Sequence, residues 1–321
     1  MLEKMKVAAI QMCADFGNVK NNLQKAETLL KNALDSGAKW AILPEFFTSG
    51  VGFHPLMHSA ALPLEGPALS LMHEMAGAYN AVVGGSFICR REGNNYNTFL
   101  LVFPDGSYRM HDKDMPTMWE NCYYIGGSDE GILDTPIGKV GAALCWEFVR
   151  TQTARRLRGK VEMVVGGTCW WDLPRHGLKL PESLSTRNRQ ILYETPSRFA
   201  KLVGAPVVHA SHAGEFAGGS PWLPGVPYNS VYLGETQIAD AAGNILARLS
   251  REDGEGFITA EVTPGSISPV ERIPDRFWIP DLPWLIRFAW AYQNAHGRRY
   301  YRKANREGLL TTMPEAKLGT S

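Results

Sequence analysis

The chain lacks most of the features that mark a special environment. Its 321 residues include only five cysteines, Cys13, Cys89, Cys122, Cys145 and Cys169, and no two form a CxxC pair. That spacing argues against a zinc or iron–sulfur clip and against a disulfide scaffold, and it fits a reducing, cytoplasmic compartment. Charge of one sign is also missing, since 33 Lys and Arg face 32 Asp and Glu. Without a broad positive field, neither nucleic acid nor an anionic membrane is an expected partner. No uncharged apolar stretch approaches a membrane span, and the apolar run after Lys6 is too short for a signal peptide. No Ser/Pro-rich linker divides the chain and nothing repeats at a fixed period.

What is present is an alternation of short β-branched runs with amphipathic stretches, the pattern of strands separated by helices. Val7 to Met12 reads as a strand. Asn18 is placed to cap a helix whose apolar residues, from Val19 to Leu34, recur at helical spacing until Ser36-Gly37. Strands follow at Trp40 to Leu43, Ala81 to Cys89, Thr98 to Phe103, Tyr108 to His111, Lys139 to Leu144, Met163 to Gly166, Pro206 to Ala210, Val231 to Leu233, Ile245 to Leu249 and Phe257 to Val262. Helices are expected at Pro67 to Tyr79, Phe148 to Leu157 and Tyr193 to Leu202, with a loop-rich segment from Trp170 to Thr195. Turn residues at Pro104 to Ser107 and Ala242 to Asn244 imply hairpins, hence a mixed sheet in one continuous α/β domain. Leu282 to Arg302 is aromatic on one side and ends in a basic cluster, which suits docking on the protein's own core or on a second subunit.

Reactive groups gather at three strand ends, the edge where open α/β sheets collect function. Glu45 follows Leu43-Pro44 past a buried strand. Lys113 lies in His111-Asp112-Lys113-Asp114-Met115-Pro116-Thr117, which leads to Trp119-Glu120. Cys145 ends the Gly/Ala-rich strand Gly141-Ala142-Ala143-Leu144 and is followed by Trp146-Glu147 and a helix, so its thiol would sit on a tight strand-to-helix turn. Each residue alone has a plain reading: a loop carboxylate, a solvated ion pair, an inert buried thiol. His209 and His212 are spaced like metal ligands, but no carboxylate or cysteine pair completes a set, and Gly84-Gly85 and Gly166-Gly167 lack a nucleotide-binding frame. Neither a metal nor a cofactor is expected.

Leu43-Pro44-Glu45, the Lys113 segment after Tyr96-Asn97-Thr98 and the Pro-Asp-Gly turn, and Cys145-Trp146-Glu147, in that order, resemble the nitrilase, or carbon–nitrogen hydrolase, superfamily across most of Val7 to Val262. The resemblance implies an α-β-β-α sandwich that forms four layers, with residues 1–265 as the hydrolase domain and 266–321 as an extension at a subunit interface. It also implies a Glu45-Lys113-Cys145 triad, with Glu120 holding Lys113 or orienting substrate. Lys113-x-Met115-Pro116-Thr117-x-x-Glu120 and Cys145-Trp146-Glu147 are similar to true nitrilases, whereas many amidase branches carry Cys-Tyr-Asp. Thr168-Cys169-Trp170-Trp171 replaces the Trp-Pro pair of nitrilases, and the helix at Tyr193 to Ala200 also departs from the family pattern.

Thiol chemistry agrees with that triad. A thiol attacks as thiolate, so Glu45 would take its proton; Lys113 and the Trp146 N–H would stabilise charge developing on nitrogen. Trp146, Trp170 and Trp171 are the candidate substrate-binding residues. The expected activity is hydrolysis of a small nitrile to acid and ammonia through a thioimidate and a thioester. An amidase or N-carbamoyl amidohydrolase on the same triad is the alternative, with an acyltransferase or a non-catalytic binding homologue further off. An aromatic helical face at the C-terminus predicts at least a homodimer.

Overall fold

A computed structural model describes residues 3–175, 181–220 and 223–312. The chain runs β1 (Met5–Met12), α1 (Val19–Asp35), β2 (Trp40–Ile42), β3 (Leu62–Pro63), α2 (Pro67–Tyr79), β4 (Val82–Arg91), β5 (Asn94–Val102) and β6 (Tyr108–Asp112). It continues with β7 (Ile132–Thr135), β8 (Gly138–Leu144), α3 (Thr151–Leu157), β9 (Met163–Thr168), α4 (Glu182–Val203), β10 (Val207–His212), β11 (Glu215–Ser220) and β12 (Leu223–Val231). The last elements are β13 (Thr236–Ala239), β14 (Ile245–Leu249), β15 (Gly256–Val262) and α5 (Trp284–Arg306).

Apart from the β11–β12 pair, the strands form one continuous sheet of thirteen that folds at one corner into two stacked mixed layers. One runs β6-β5-β4-β2-β1-β15, the other β7-β8-β9-β10-β13-β14. The join is short: Gln11 and Met12 at the end of β1 pair with Ser211 and His212 of β10. Alternation along each strand builds the layers. Val7 and Ala9 face inward with Trp40, Ile42, Val140, Ala142, Val165 and Val208 to form the core between the sheets. Ala8 and Ile10 face the other way, onto α1 and α2. Ala143, Val164 and Val207 likewise turn outward onto α3 and α4. The result is the α-β-β-α sandwich.

Local chemistry sets the boundaries. Asn18 caps α1 by accepting the Asn21 N–H at 3.2 Å, and Asn80 ends α2 in the left-handed conformation. The two expected hairpins form: Asp105 accepts from Ser107 between β5 and β6, and Asp240 accepts from Ala242 and Asn244 between β13 and β14.

Several elements differ from expectation. The helix expected from Tyr193 begins at Glu182, inside the segment read as loop. Its first turns carry few apolar side chains and are pinned by polar contacts instead, Ser185 to Asp172 and Asn188 to the Trp171 carbonyl. The helix expected from Phe148 is two pieces, a 3₁₀ turn at Cys145–Val149 and then α3. β11 and β12 form a hairpin that the sequence reading does not anticipate, and the strand expected at Val231 to Leu233 overlaps β12 only at Val231, with Tyr232 making an isolated bridge to Trp171. β7 and β13 carry too short an alternation to be read.

The C-terminal helix lies on its own chain. Asn294 accepts the Met118 N–H at 2.8 Å and the Asn121 amide at 3.0 Å, and the Tyr301 hydroxyl accepts the Asn95 N–H at 2.9 Å. The outer face of α5 leaves Trp284, Phe288 and Tyr292 exposed. Among the described residues, no helix is long and apolar enough to cross a membrane.

Candidate active site

Because β2, β4, β8, β9 and β10 are parallel, their carboxyl ends open on one edge of the sandwich. Glu45 follows β2, Lys113 follows β6, Cys145 follows β8 and Cys169 follows β9. The four residues expected to act together, Glu45, Lys113, Glu120 and Cys145, are all buried there.

Their geometry is closely constrained. Lys113 Nζ donates to Glu45 Oε1 at 2.9 Å and to Glu120 Oε2 at 2.7 Å, so one ammonium bridges two carboxylates. Glu45 Oε1 also accepts from Asn97 Nδ2 at 2.9 Å, and Oε2 accepts the Cys169 N–H at 2.9 Å. Glu120 is held by the Thr117 N–H at 2.9 Å and by the Tyr124 hydroxyl. Its other oxygen, Oε1, is buried with no partner. A carboxylate oxygen of each glutamate and the Cys145 sulfur lie within 4.8 Å of one another.

Burial decides the electrostatics. Desolvation lifts the Glu45 carboxyl to about 7, against the pull of Lys113. A carboxyl near neutrality can both take and return a proton. Burial opposes the charge on Lys113, but Glu120 and Glu45 together hold its pKa well above the usual lysine value. The Cys145 thiol is pushed well above its ordinary pKa by burial and by Glu45, with Lys113 offsetting part of the effect. The resting thiol is therefore neutral, and its proton must go to a base at the moment of attack.

The backbone at Cys145 has φ +48, left-handed for a non-glycine residue. Glu147 maintains that turn: its Oε2 accepts the Leu144 N–H at 2.8 Å and its Oε1 accepts the Asp114 N–H at 3.1 Å. His111 lies behind it, 3.0 Å from Glu147 and 2.5 Å from Asp129. Burial works against the imidazolium, yet Glu147 and Asp129 raise its pKa to about 10. Glu147 in turn is kept well below the usual carboxylate range, mainly by the His111 charge acting against its burial.

Trp146, Trp170 and Trp171 line a cavity of about 430 Å³ to which Cys145 also contributes. Its walls are mostly apolar, and aromatic rings pack on one another within them. Trp119 stacks on Trp171 at 4.3 Å between ring centroids, Tyr228 meets Trp119 edge-on at 4.9 Å, and Trp146 lies 5.5 Å from Trp170. Glu45, Lys113 and Glu120 stand behind the thiol and do not line the cavity.

The histidines with ligand-like spacing each contact backbone carbonyls. His209 lies 3.1 Å from the Glu235 carbonyl, and burial lowers its pKa to about 3. His212 Nε2 donates to the Glu45 carbonyl at 2.8 Å, and burial lowers its pKa to about 4. His212 thus supports the backbone of Glu45, a contact that sequence spacing does not reveal. Sequence reasoning also missed Asn97, Thr117, Tyr124 and Asp129 as partners of the charged groups. Asn97 and Glu147 lie within the recognised motifs, so the signal was there without the geometry.

This chain belongs to the carbon-nitrogen hydrolase family, whose model matches residues 6–272. Nitrilase 3 of Arabidopsis thaliana is 32% identical over 166 residues, 44% of this chain and 47% of that protein. A bifunctional nitrilase/nitrile hydratase of Oryza sativa subsp. japonica is 25% identical over 299 residues, 82% of this chain and 77% of that one. The match spans about half the length of the curated nitrilases that are about 30% identical. Among solved structures, a CN-hydrolase superfamily protein from Xanthomonas campestris with an arsenic adduct in its active site has a TM-score of 0.64 at 16% identity, covering 96% of this chain and 98% of that one. An amidase from Nesterenkonia sp. AN1, showing Michael addition of acrylamide at its active-site cysteine, has a TM-score of 0.62 at 18% identity, covering 85% and 96%. At these identities the two structures establish the fold.

Proposed function

We propose that this hydrolase converts a nitrile with a bulky, mainly aromatic or apolar body into its carboxylic acid and ammonia. One observation carries the reading: a buried thiol on a strained turn faces a Trp-lined cavity, with a carboxyl of near-neutral pKa and a lysine ammonium behind it. Nitrilases among the relatives and the Cys145-Trp146-Glu147 motif favour nitrile over amide.

In this mechanism Glu45 takes the Cys145 proton as sulfur bonds to the nitrile carbon, and one C–N π bond becomes a lone pair on nitrogen. Lys113 and the Trp146 N–H stabilise that charge, and a proton delivered through Glu45 gives the thioimidate. A water deprotonated by Glu45 adds to the carbon, and the tetrahedral species expels ammonia to leave a thioester. A second water releases the acid and restores the thiol. The sum is one nitrile and two waters giving one acid and one ammonia. Expulsion of the thiol instead of ammonia yields an amide, the route to amide as a minor product and, run in reverse, to amide as an alternative substrate. No oxidant or cofactor is required by this chemistry.

The experiment is a panel of aryl and aliphatic nitriles, primary amides and N-carbamoyl compounds, with ammonia, acid and amide quantified. Ammonia and acid in equal amounts from an aryl nitrile support the reading. Turnover of amides or N-carbamoyl compounds alone replaces it with the amidase reading.

The same proposal assigns residues 1–265 to the hydrolase domain and 266–321 to an extension at the subunit interface; within it, Leu285, Ile286, Ala289 and Gln293 of α5 line the cavity. It places the protein in the cytoplasm, a setting consistent with five free thiols. It also has two copies of the chain bury the exposed Trp284–Phe288 face reciprocally, with no nucleic acid or membrane partner; sedimentation velocity reads the assembly directly.

A further inference from the structure

The cavity holds a polar group that chemistry at Cys145 does not use. Gln293, on α5, lines the same cavity as Cys145 and is 5% exposed, and its Oε1 has no hydrogen-bond partner. Trp119 Nε1, on the opposite type of polar role, is likewise buried without a partner on a cavity-lining residue. Buried polar atoms are rarely left unpaired, because they have given up water for nothing in return. Both residues line the cavity, so a ligand packed against them would supply a partner once the covered atom turns toward it.

Gln293 is also held firmly in place. Its neighbour Asn294 accepts from the Met118 N–H and from Asn121, which fixes the helix against the turn that carries Trp119. Gly297 completes the fit, since a Cβ there would come within 2.6 Å of the Asn121 Cβ. The helix cannot rotate Gln293 out of the cavity without breaking these contacts. Charge in the cavity is sparse. Among the described lining residues Asp172 is the one ionisable carboxylate, and it already accepts from Ser185 and from the Leu173 N–H. A neutral donor therefore suits the site better than a cation, whose desolvation would lack a free counter-charge.

We propose that Gln293 is a specificity-determining residue whose Oε1 accepts a hydrogen bond from a neutral donor, a hydroxyl or N–H, on the body of the substrate away from its carbon–nitrogen bond. The proposal rests on the reading of the Cys145 cavity as the substrate site. It makes the C-terminal helix part of substrate recognition and selects donor-bearing aryl compounds over their unsubstituted parents.

The test is binding, which needs no turnover. Phenylacetonitrile and phenylpropionitrile, their ring-hydroxylated isomers and the matching methoxy compounds are titrated against the full chain carrying Cys145→Ala, with quenching of the cavity tryptophans as the signal. At least one hydroxylated isomer is expected to bind about tenfold more tightly than its parent, the scale of one added hydrogen bond in a dry site, and its methoxy analogue is not. Adding Gln293→Leu, or Gln293→Met as a second substitution of similar volume, is expected to bring the hydroxyl-to-parent ratio to within about twofold of unity. A hydroxyl advantage that survives both substitutions overturns the assignment, as does an equal gain from methoxy or no gain from any isomer. If no compound binds in any background and none releases ammonia with the unmodified enzyme, the cavity reading itself falls, and the proposal with it.

Discussion

Glu147 accepts the backbone N–H of Leu144 at 2.8 Å, so a side chain two residues past Cys145 fastens the turn on which that thiol sits. The same carboxylate accepts the Asp114 N–H at 3.1 Å, next to Lys113. One buried anion thus ties the turn of the candidate nucleophile to the loop of the candidate oxyanion donor. Glu147→Gln keeps the size but cannot match both N–H groups and a charged His111. The expected result is a fall in kcat of about 100-fold, the cost of a small misplacement of reacting groups, with KM changed far less. Steady-state kinetics with circular dichroism of the variant check it.

Asn97 supports the charged form of Glu45 by donating to Oε1 at 2.9 Å. With the Glu45 carboxyl at about 7, kcat/KM should rise with pH through neutrality, because a protonated Glu45 cannot take the thiol proton. Asn97→Leu removes a hydrogen bond from the anion, so the limb should move upward by about one pH unit. A pH–rate profile of both proteins measures the shift.

His111 links pH to stability. Its pKa is raised from 6.5 to about 10 in the folded chain, so the folded state binds its proton more tightly than the unfolded one. The stabilisation is complete below pH 6.5 and is lost as pH rises toward 10. The difference in Tm between wild type and His111→Asn should therefore be largest near pH 6 and shrink through the alkaline range. Differential scanning calorimetry at several pH values checks the trend.

Lys113 reaches Glu45 and Glu120 together, and neither carboxylate lines the cavity. Lys113→Met should slow formation of the acyl-enzyme by about 100- to 1000-fold, the range for loss of one strong donor to a developing anion, with a smaller effect on substrate binding. Pre-steady-state kinetics separate these steps, and an effect confined to KM would remove Lys113 from that role.

Much of this architecture is legible before any coordinates. The alternation from Val7 to Leu34 places β1 and α1 to within a few residues, because one buried face repeats at a period of two and then 3.6. Glu45, Lys113 and Cys145 can be singled out since each lies past a readable strand, and an ordered motif set is far more specific than its parts. The remainder depends on distant pairs. The contacts of Cys169 and His212 with Glu45 bridge separations of 124 and 167 residues, which no local pattern encodes. The first turns of α4 were hidden because polar anchors, not an apolar stripe, hold them. Gln293 was equally silent: its importance comes from where α5 lands on the turn at Met118, not from its neighbours in sequence.

In the proposed mechanism Cys145 carries the substrate covalently. Enzyme quenched in acid during turnover of an aryl nitrile and digested for mass spectrometry tests it most directly. The account predicts an acyl or imidoyl adduct on the peptide containing Cys145, absent after Cys145→Ala, with turnover in that variant below about a hundredth of wild type. An adduct on another residue, or a Cys145→Ala enzyme that keeps most of its activity, would contradict it.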